Sequence, residues 1–399
     1  MSRHRCIRPA FTLAELMIVI TIITIMASVT LVAMYGVLDY AKENRTRAQI
    51  AKLHEILMEK WESYRTRAVP LDISFFNVPK DAASPTAAQL VGMARLRALR
   101  ELMRMELPER KTDLDAIPSI TNPGTATATT PLQFQYVDTS GVTKAWPATG
   151  SLSMSPPALW HAFRRRAGYA RFNPTASATW NAPATWTDNN QYSECLYLIV
   201  ANTMYGEDSA LKFFRDSEIG DVDGDGMKEI LDAWGRPIYF LRWAPGFTYT
   251  WGADGRWGVA TVDDDGNGTV DDPIPPFPNK PVILERAAAG SDDELVSELQ
   301  TPSGAQYPDP FDPLQSDSRW RNSDRGDEPF ALVPLIFSAG RDGGYGLWDD
   351  QSPTFSHAKF GNDPYLVIAE VSTSNPVQIG MPFEETSRDN ITNHLLGTQ

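Results

Sequence analysis

The stretch that decides the fold is Pro9-Ala10-Phe11-Thr12-Leu13-Ala14-Glu15-Leu16-Met17-Ile18-Val19-Ile20. A basic leader precedes it, and no charged side chain occurs over residues 16–38. Because about 20 apolar residues suffice to span a bilayer, this run predicts a transmembrane helix. Glu15 lies at the start of the run, where lipid should exclude a carboxylate. An ionisable residue in such a position indicates a function.

The combination of basic leader, small residue, Phe-Thr-Leu, Glu and uncharged span resembles the processing site of the type IV pilin and type II secretion pseudopilin family. The resemblance implies that a prepilin peptidase cuts between Ala10 and Phe11 and that the new N-terminus is methylated. Glu15 would then be the fifth mature residue and would serve assembly. Ala10 stands where the family usually has glycine.

Two other interpretations compete for this N-terminal stretch. A secretory signal peptide has an apolar core of about 7–15 residues before its cleavage site, which is shorter than the run here. A plain signal anchor would have Glu15 by accident. The leader arginines would stay cytoplasmic by the positive-inside rule. We therefore expect a single-pass protein of the inner (cell) membrane with its C-terminal part periplasmic or extracytoplasmic.

Charge and cysteine content narrow the class of protein. The formal net charge of −14 would become −17 without the leader arginines Arg3, Arg5 and Arg8. Such acidity argues against a nucleic-acid partner, which requires Lys/Arg surfaces. Cys6 would leave with the leader, so Cys195 has no intrachain partner. Its apolar neighbours predict a buried thiol.

The helix is expected to continue beyond the apolar run. Residues 39–67 contain no Pro or Gly, and Pro70 follows them. Apolar residues recur at spacings of three and four, which places them on one helix face. These residues are Ile50, Leu53, Leu57, Trp61 and Tyr64. A juxtamembrane coiled coil is the alternative, but Trp and Tyr in the stripe favour packing against a globular domain.

The predicted fold class is α+β, with a long N-terminal transmembrane/amphipathic spine helix packed on a small antiparallel sheet, a mostly helical insertion and acidic loops. The expected parts are a leader 1–10, a transmembrane half 11–38, an amphipathic half 39–69, a mostly helical insertion 70–219, a β region 220–371 and a flexible tail 372–399. Helices are predicted over 87–105, 156–171 and 191–205, with strands over 132–137, 238–243, 248–251, 332–338 and 365–370.

The family resemblance returns in the C-terminal half. Residues 232–239, Asp-Ala-Trp-Gly-Arg-Pro-Ile-Tyr, are similar to a turn of the major pseudopilin. Residues 337–346, Phe-Ser-Ala-Gly-Arg-Asp-Gly-Gly-Tyr-Gly, followed by an acidic pair, look like its calcium loop. The resemblance implies that Asp342, Asp349 and Asp350 bind Ca²⁺.

Two further acidic loops have the spacing of calcium-binding turns. The first contains Asp221, Asp223, Asp225, Glu229 and Asp232, with Asp232 at the twelfth position of an EF-hand-like loop. The second contains Asp263, Asp265, Asn267 and Asp271, with Ile274 at its twelfth position. Such oxygen ligands suit Ca²⁺. The alternative for each loop is a solvated Asp/Gly turn.

No nucleophile elbow, phosphate loop or zinc-protease helix occurs in the sequence, so we expect no enzyme. The first functional hypothesis is a pilin-like structural subunit of a type II secretion pseudopilus or type IV pilus-related machine. Its partners would be prepilin peptidase, other pilin-like subunits and the inner-membrane assembly platform. The second hypothesis is a membrane-anchored, calcium-stabilised binding or hydrolytic protein. Processing at Ala10/Phe11 distinguishes them.

Overall fold

The structure is a computed structural model of the 399-residue chain. It describes residues 13–69, 71–73, 77–115, 117–118, 126–127, 134–150, 152, 154–173, 176, 179, 181–244, 309–317, 320, 329, 331–347 and 389–395. The strands expected at 248–251 and 365–370 lie outside this part.

Four α-helices occur in the described residues: α1 Leu13–Ser63, α2 Ala87–Glu106, α3 Ala158–Arg166 and α4 Gln191–Ala201. Helix α1 is continuous over 51 residues, as expected for a spine. Thr86 begins α2 with a capping box, in which its hydroxyl accepts from the Gln89 N–H and the Gln89 side chain accepts from the Thr86 N–H. Pro157 precedes α3 and fixes the backbone at its start.

The membrane-spanning part of the predicted fold is wrong. None of the helices in the described residues combines the length and the apolar character needed to cross a membrane. Helix α1 carries Glu15 in its first turn, and charged side chains return from Asp39 onward. This finding overturns the transmembrane half at 11–38 and, with it, the predicted single-pass inner-membrane localisation.

All strand pairs in the described residues are antiparallel. The strands are β1 Ala82–Ser84, β2 Ile117–Pro118, β3 Ala126–Thr127, β4 Phe134–Asp138, β5 Thr143–Trp146, β6 Met204–Tyr205, β7 Asp208–Ser209, β8 Ile219–Gly220, β9 Glu229–Ile230, β10 Tyr239–Ala244, β11 Val333–Ser338 and β12 Ile391–Thr392. Two sheets have three strands, in the orders β1-β4-β5 and β10-β11-β12, and the other pairs are β2-β3, β6-β7 and β8-β9.

The second half of α1 forms one wall of the main core. Its predicted apolar stripe is buried throughout: Ile50, Leu53, Leu57, Trp61 and Tyr64 are each at most 2% exposed. The helix packs on β11 and β12. Phe240 and Ile336 of the sheet face this core, whereas Tyr239 and Phe337, one residue along each strand, belong to a smaller cluster on the opposite face. This alternation follows from the two-residue period of a strand.

The region predicted as a flexible tail contains an ordered segment. Strand β12 pairs with β11, and the Asn393 side chain accepts from the Ile336 N–H at 2.8 Å and donates to the Pro334 carbonyl at 2.9 Å. The side chain thus provides hydrogen-bond partners for two backbone groups of β11. Composition alone did not indicate this pairing, because it depends on a partner strand more than 50 residues away.

Candidate functional site

The candidate site is the acidic loop that joins β8 to β9. The two strands pair Ile219 with Ile230 and Gly220 with Glu229. Between them, Gly224 and Gly226 have φ values of +77° and +95°, a region that L side chains rarely adopt. These glycines allow the chain to turn sharply enough for alternate side chains to point inward.

The three aspartates of the loop converge. One oxygen each of Asp221, Asp223 and Asp225 lies within 4.8 Å of the others. Asp221 is held by the N–H groups of Gly224 and Gly226, at 2.8 and 3.1 Å. Backbone donors fix this carboxylate but supply no neutralising charge, so the loop concentrates negative charge.

Glu229 closes the inner side of the loop. Its side chain is buried, and its oxygens accept from the Val222 N–H at 3.0 and 3.2 Å. Burial, together with the charges of Asp223 and Asp221, raises the pKa of this carboxyl to about 7. Removing a carboxylate from water while surrounding it with like charges favours either a proton or a cation at this position.

Glu194 of α4 joins the cluster and was not predicted from the sequence. Helix α4 packs against β9 and β10, and one Glu194 oxygen lies within 4.8 Å of ligand atoms on Asp223 and Glu229. The side chain is fully buried; Oε2 accepts from Trp186 Nε1, whereas Oε1 has no hydrogen-bond partner among the residues that the structure describes. Burial first, and then the nearby carboxylates, raise the pKa of Glu194 to about 9. The sequence signal was a single charged residue within the apolar run 191–205.

The segment before α4 covers the loop. The Thr187 N–H donates to Asp225 Oδ2 at 2.7 Å, and its hydroxyl donates to Asp223 Oδ2 at 3.3 Å. Asn190, with a left-handed φ of 54°, directs Nδ2 to Glu229 at 3.4 Å and accepts from the Tyr239 hydroxyl at 3.0 Å. Two chain segments besides the loop therefore contribute to the site.

Asp232, the expected twelfth ligand, does not join this cluster. Its Oδ1 accepts from the N–H groups of Trp234 and Arg236, at 2.8 and 2.9 Å. Its Oδ2 accepts from the Ser338 hydroxyl at 2.6 Å. Both oxygens are thus engaged in holding the turn before β10.

The predicted loop after β11 is described only in part. Asp342 accepts from the Gly344 N–H at 2.7 Å, and its own N–H donates to Asp389 Oδ2 at 2.9 Å. Asp389 was not predicted, and burial together with the Asp342 charge raises its pKa.

Of the residues predicted for processing and assembly, the structure describes Glu15, which lies in the first turn of α1. The remaining predicted site residues lie outside the described residues: Ala10, Phe11, Asp263, Asp265, Asn267, Asp271, Asp349 and Asp350.

Two overlapping groups, Glu194/Asp223/Glu229 and Asp221/Asp223/Asp225, can hold a metal ion. Carboxylate oxygens are the donors that hard divalent cations prefer.

The predicted buried thiol is confirmed, since Cys195 is fully buried next to Glu194, and burial raises its pKa.

No protein-family model, no curated protein and no solved structure matches the chain.

Proposed function

We propose that the chain is a pilin-like structural subunit of a type II secretion or type IV pilus-related machine, and that copies assemble through the first half of α1. The observation that carries this proposal is the exposure of large apolar side chains along that half. They include Leu13, Leu16, Met17, Ile18, Val19, Ile20, Ile22, Ile23, Ile25, Met26, Met34, Val37 and Leu38.

The distribution of these side chains favours a bundle over a single docking partner. Residues 16–20 are consecutive and exposed, and five consecutive residues occupy every face of a helix. One partner helix covers only a stripe, whereas several neighbouring helices cover all faces. Each large apolar side chain gains about 1.5–3 kcal/mol on full burial, so mutual packing of these halves provides a strong driving force.

Glu15 has a defined role in this proposal. It lies at the N-terminal end of α1, where a carboxylate interacts favourably with the helix dipole. Inside an apolar bundle a nearby positive charge stabilises a carboxylate. The N-terminal amine of a processed Phe11 on a neighbouring subunit supplies that charge, in keeping with the resemblance to pilin-like proteins.

Processing is tested by producing the full-length chain together with an active prepilin peptidase and analysing the N-terminus by mass spectrometry. We expect a chain that starts at methylated Phe11. An intact Met1 end would contradict the proposal. Glu15→Ala should keep the melting temperature but lose incorporation into filaments, whereas Glu43→Ala, which removes a partly exposed acid paired with Arg47 farther along α1, should incorporate normally.

Assembly through α1 is tested by cysteine cross-linking. Cys195 is buried, so the background reactivity of the processed chain is low. On addition of an oxidant, Ile23→Cys should give disulfide-linked dimers in assembled material, whereas Glu207→Cys in the turn between β6 and β7 should give none. Cross-linking at position 207 without any at position 23 would show that the copies associate by another surface.

We also propose that Ca²⁺ is the ion of the acidic loop and that it stabilises the globular part. Ca²⁺ accepts six to eight oxygen ligands in flexible geometry, whereas Mg²⁺ demands a tight octahedron and retains water. The melting temperature of the full-length protein should rise with millimolar Ca²⁺, fall with chelator and respond less to Mg²⁺. At a hundredfold excess over Kd the gain is about 2.7 kcal/mol. Asp223→Ala should abolish most of the response, and indifference of the wild type to Ca²⁺ would refute the assignment.

A further inference from the structure

The acidic loop between β8 and β9 lacks one of the carboxylate ligands that a 12-residue calcium loop has. In a 12-residue calcium loop, the twelfth residue supplies a bidentate carboxylate that closes the coordination sphere. Here that residue is Asp232, whose two oxygens are already occupied by Ser338, Trp234 and Arg236. The loop by itself therefore presents three converging aspartates and Glu229, without a closing group.

Glu194 has the chemistry and the position of the missing group. It comes from α4, far from the loop in sequence, and one of its oxygens lies within 4.8 Å of both Asp223 and Glu229 oxygens. It is fully buried, and Oε1 has no hydrogen-bond partner within the described part of the chain. A buried carboxyl oxygen without a partner is costly, because its lost hydration is not replaced.

We propose that Glu194 is a direct ligand of the calcium ion bound by the 221–229 loop and replaces the carboxylate that the twelfth position of the loop does not supply. This inference rests on the proposed calcium binding by the loop. A divalent cation satisfies Oε1 and offsets the repulsion between Glu194, Asp223 and Glu229.

The consequence is that the ion joins α4 to the β8–β9 hairpin. Glu194 anchors it to α4, the aspartates anchor it to the β8–β9 hairpin, and Thr187 ties the preceding segment to two of those aspartates. Trp186 donates to Glu194 Oε2 and thereby restricts the orientation of the carboxylate. The ion thus links the β8–β9 hairpin to the core, and its effect is not confined to the stability of a surface turn.

The test compares Ca²⁺ affinity by isothermal titration calorimetry for the full-length wild type, Glu194→Gln, Asp223→Asn and Glu207→Gln. Glutamine retains the size of the side chain and an oxygen that accepts from Trp186, but it loses the charge. Loss of a group that only orients a metal ligand costs about 10–100-fold in affinity. We therefore expect a loss of at least about tenfold for Glu194→Gln and no change for the exposed control Glu207→Gln.

The outcomes separate the two proposals. If the wild type binds Ca²⁺ and Glu194→Gln binds equally well, while Asp223→Asn does not, the loop binds calcium without Glu194 and the inference is overturned. If the wild type binds no Ca²⁺, the calcium assignment itself fails. Neither result bears on the filament proposal, which is tested by processing and cross-linking.

A second measurement does not require Glu194→Gln to fold. Tb³⁺ can replace Ca²⁺ and emits when a nearby indole is excited. If Glu194 binds the ion, Trp186 lies one hydrogen bond beyond it, so Trp186→Phe should remove most of the sensitised emission. The control variant Trp146→Phe, on β5 of the β1-β4-β5 sheet, should leave the emission unchanged. Equal emission from Trp186→Phe and wild type would place the ion away from Glu194.

Discussion

The Ser338 hydroxyl donates to Asp232 Oδ2 at 2.6 Å, and both side chains are buried. The bond joins the last residue of β11 to the turn that precedes β10, across 106 residues of sequence. Asp232 Oδ1 meanwhile accepts from two backbone N–H groups of the turn. Asp232 therefore links the turn before β10 to β11, the central strand of the β10-β11-β12 sheet.

Replacing Asp232 should reduce stability and leave calcium affinity unchanged. Hydrogen bonds to charged groups contribute about 1.5–3 kcal/mol each, and Asp232→Asn weakens several of them. We expect the free energy of unfolding, measured in urea at constant Ca²⁺, to fall by about 2–3 kcal/mol. Ser338→Ala should lower it by a smaller amount. A loss of Ca²⁺ affinity in Asp232→Asn comparable to that in Asp223→Asn would instead identify Asp232 as a ligand.

Arg242 is the key cation of a buried ionic cluster. It is fully buried and donates to Asp113 at 3.0 Å, to Glu109 at 3.2 Å and to the Leu107 carbonyl at 2.7 Å. Burial alone would raise the pKa of Asp113, but the charges of Arg242, Arg110 and Arg104 outweigh it and lower that pKa to about 2.

Arg242→Met should therefore destabilise the protein by about 3–5 kcal/mol, because it breaks two buried ion pairs and leaves Arg104 and Arg110 as the cations of Asp113 and Glu109. Urea denaturation at neutral pH measures the loss. Adding Glu109→Gln to the same chain should recover part of it, since one acid is then removed together with the one cation, while Asp113 keeps Arg104. If the double variant is no more stable than the single one, the cost arises from packing and not from charge.

Local patterns predicted helices α1 to α4 and the strands β4, β10 and β11, but not β1, β5 or β12. The stripe from Ile50 to Tyr64 could be identified because helix periodicity depends only on nearby residues. The strand predicted at 238–243 is β10 Tyr239–Ala244, and that at 332–338 is β11 Val333–Ser338. The transmembrane prediction failed.

The sequence predicted only the part of the candidate site that comes from one short segment of the chain. The spacing of Asp221, Asp223 and Asp225 indicated a loop that turns inward, and the structure brings these carboxylates together. Glu194 could not be placed there, because its position depends on how α4 packs against β9 and β10. Asp232 has the spacing of a ligand, but a tertiary contact with Ser338 occupies it instead.

Truncation of leucine should reduce stability in the second half of α1 but hardly change it in the first half. Leu53 is fully buried in the core, whereas Leu38 is 49% exposed. Leu53→Ala should lower the free energy of unfolding by about 2–5 kcal/mol, because it removes buried methyl groups and leaves a cavity. Leu38→Ala should change it by less than about 0.5 kcal/mol. Chemical denaturation of both variants provides the comparison, and similar losses would contradict the division of the helix.

His394 should make the protein acid-sensitive between about pH 6.5 and pH 4. Its Nε2 donates to the Pro334 carbonyl at 3.0 Å, because that carbonyl can only accept, and Nδ1 is buried without a partner in the described residues. Burial first, and then His54 on α1, lower the pKa of His394 to about 4. The folded state therefore prefers the neutral ring, so its stabilising contribution is present above the unfolded pKa near 6.5 and is lost as the pH falls toward 4.

The magnitude follows from the difference between the two pKa values, at most about 3 kcal/mol. His394→Gln retains a donor for the Pro334 carbonyl but cannot be protonated, so its free energy of unfolding should decline less over this range. Carboxyls such as Asp115, whose pKa burial raises to about 6, titrate in both proteins and cancel in the difference. Urea midpoints at several pH values test this expectation. Parallel curves for the wild type and His394→Gln would assign the acid sensitivity to another group.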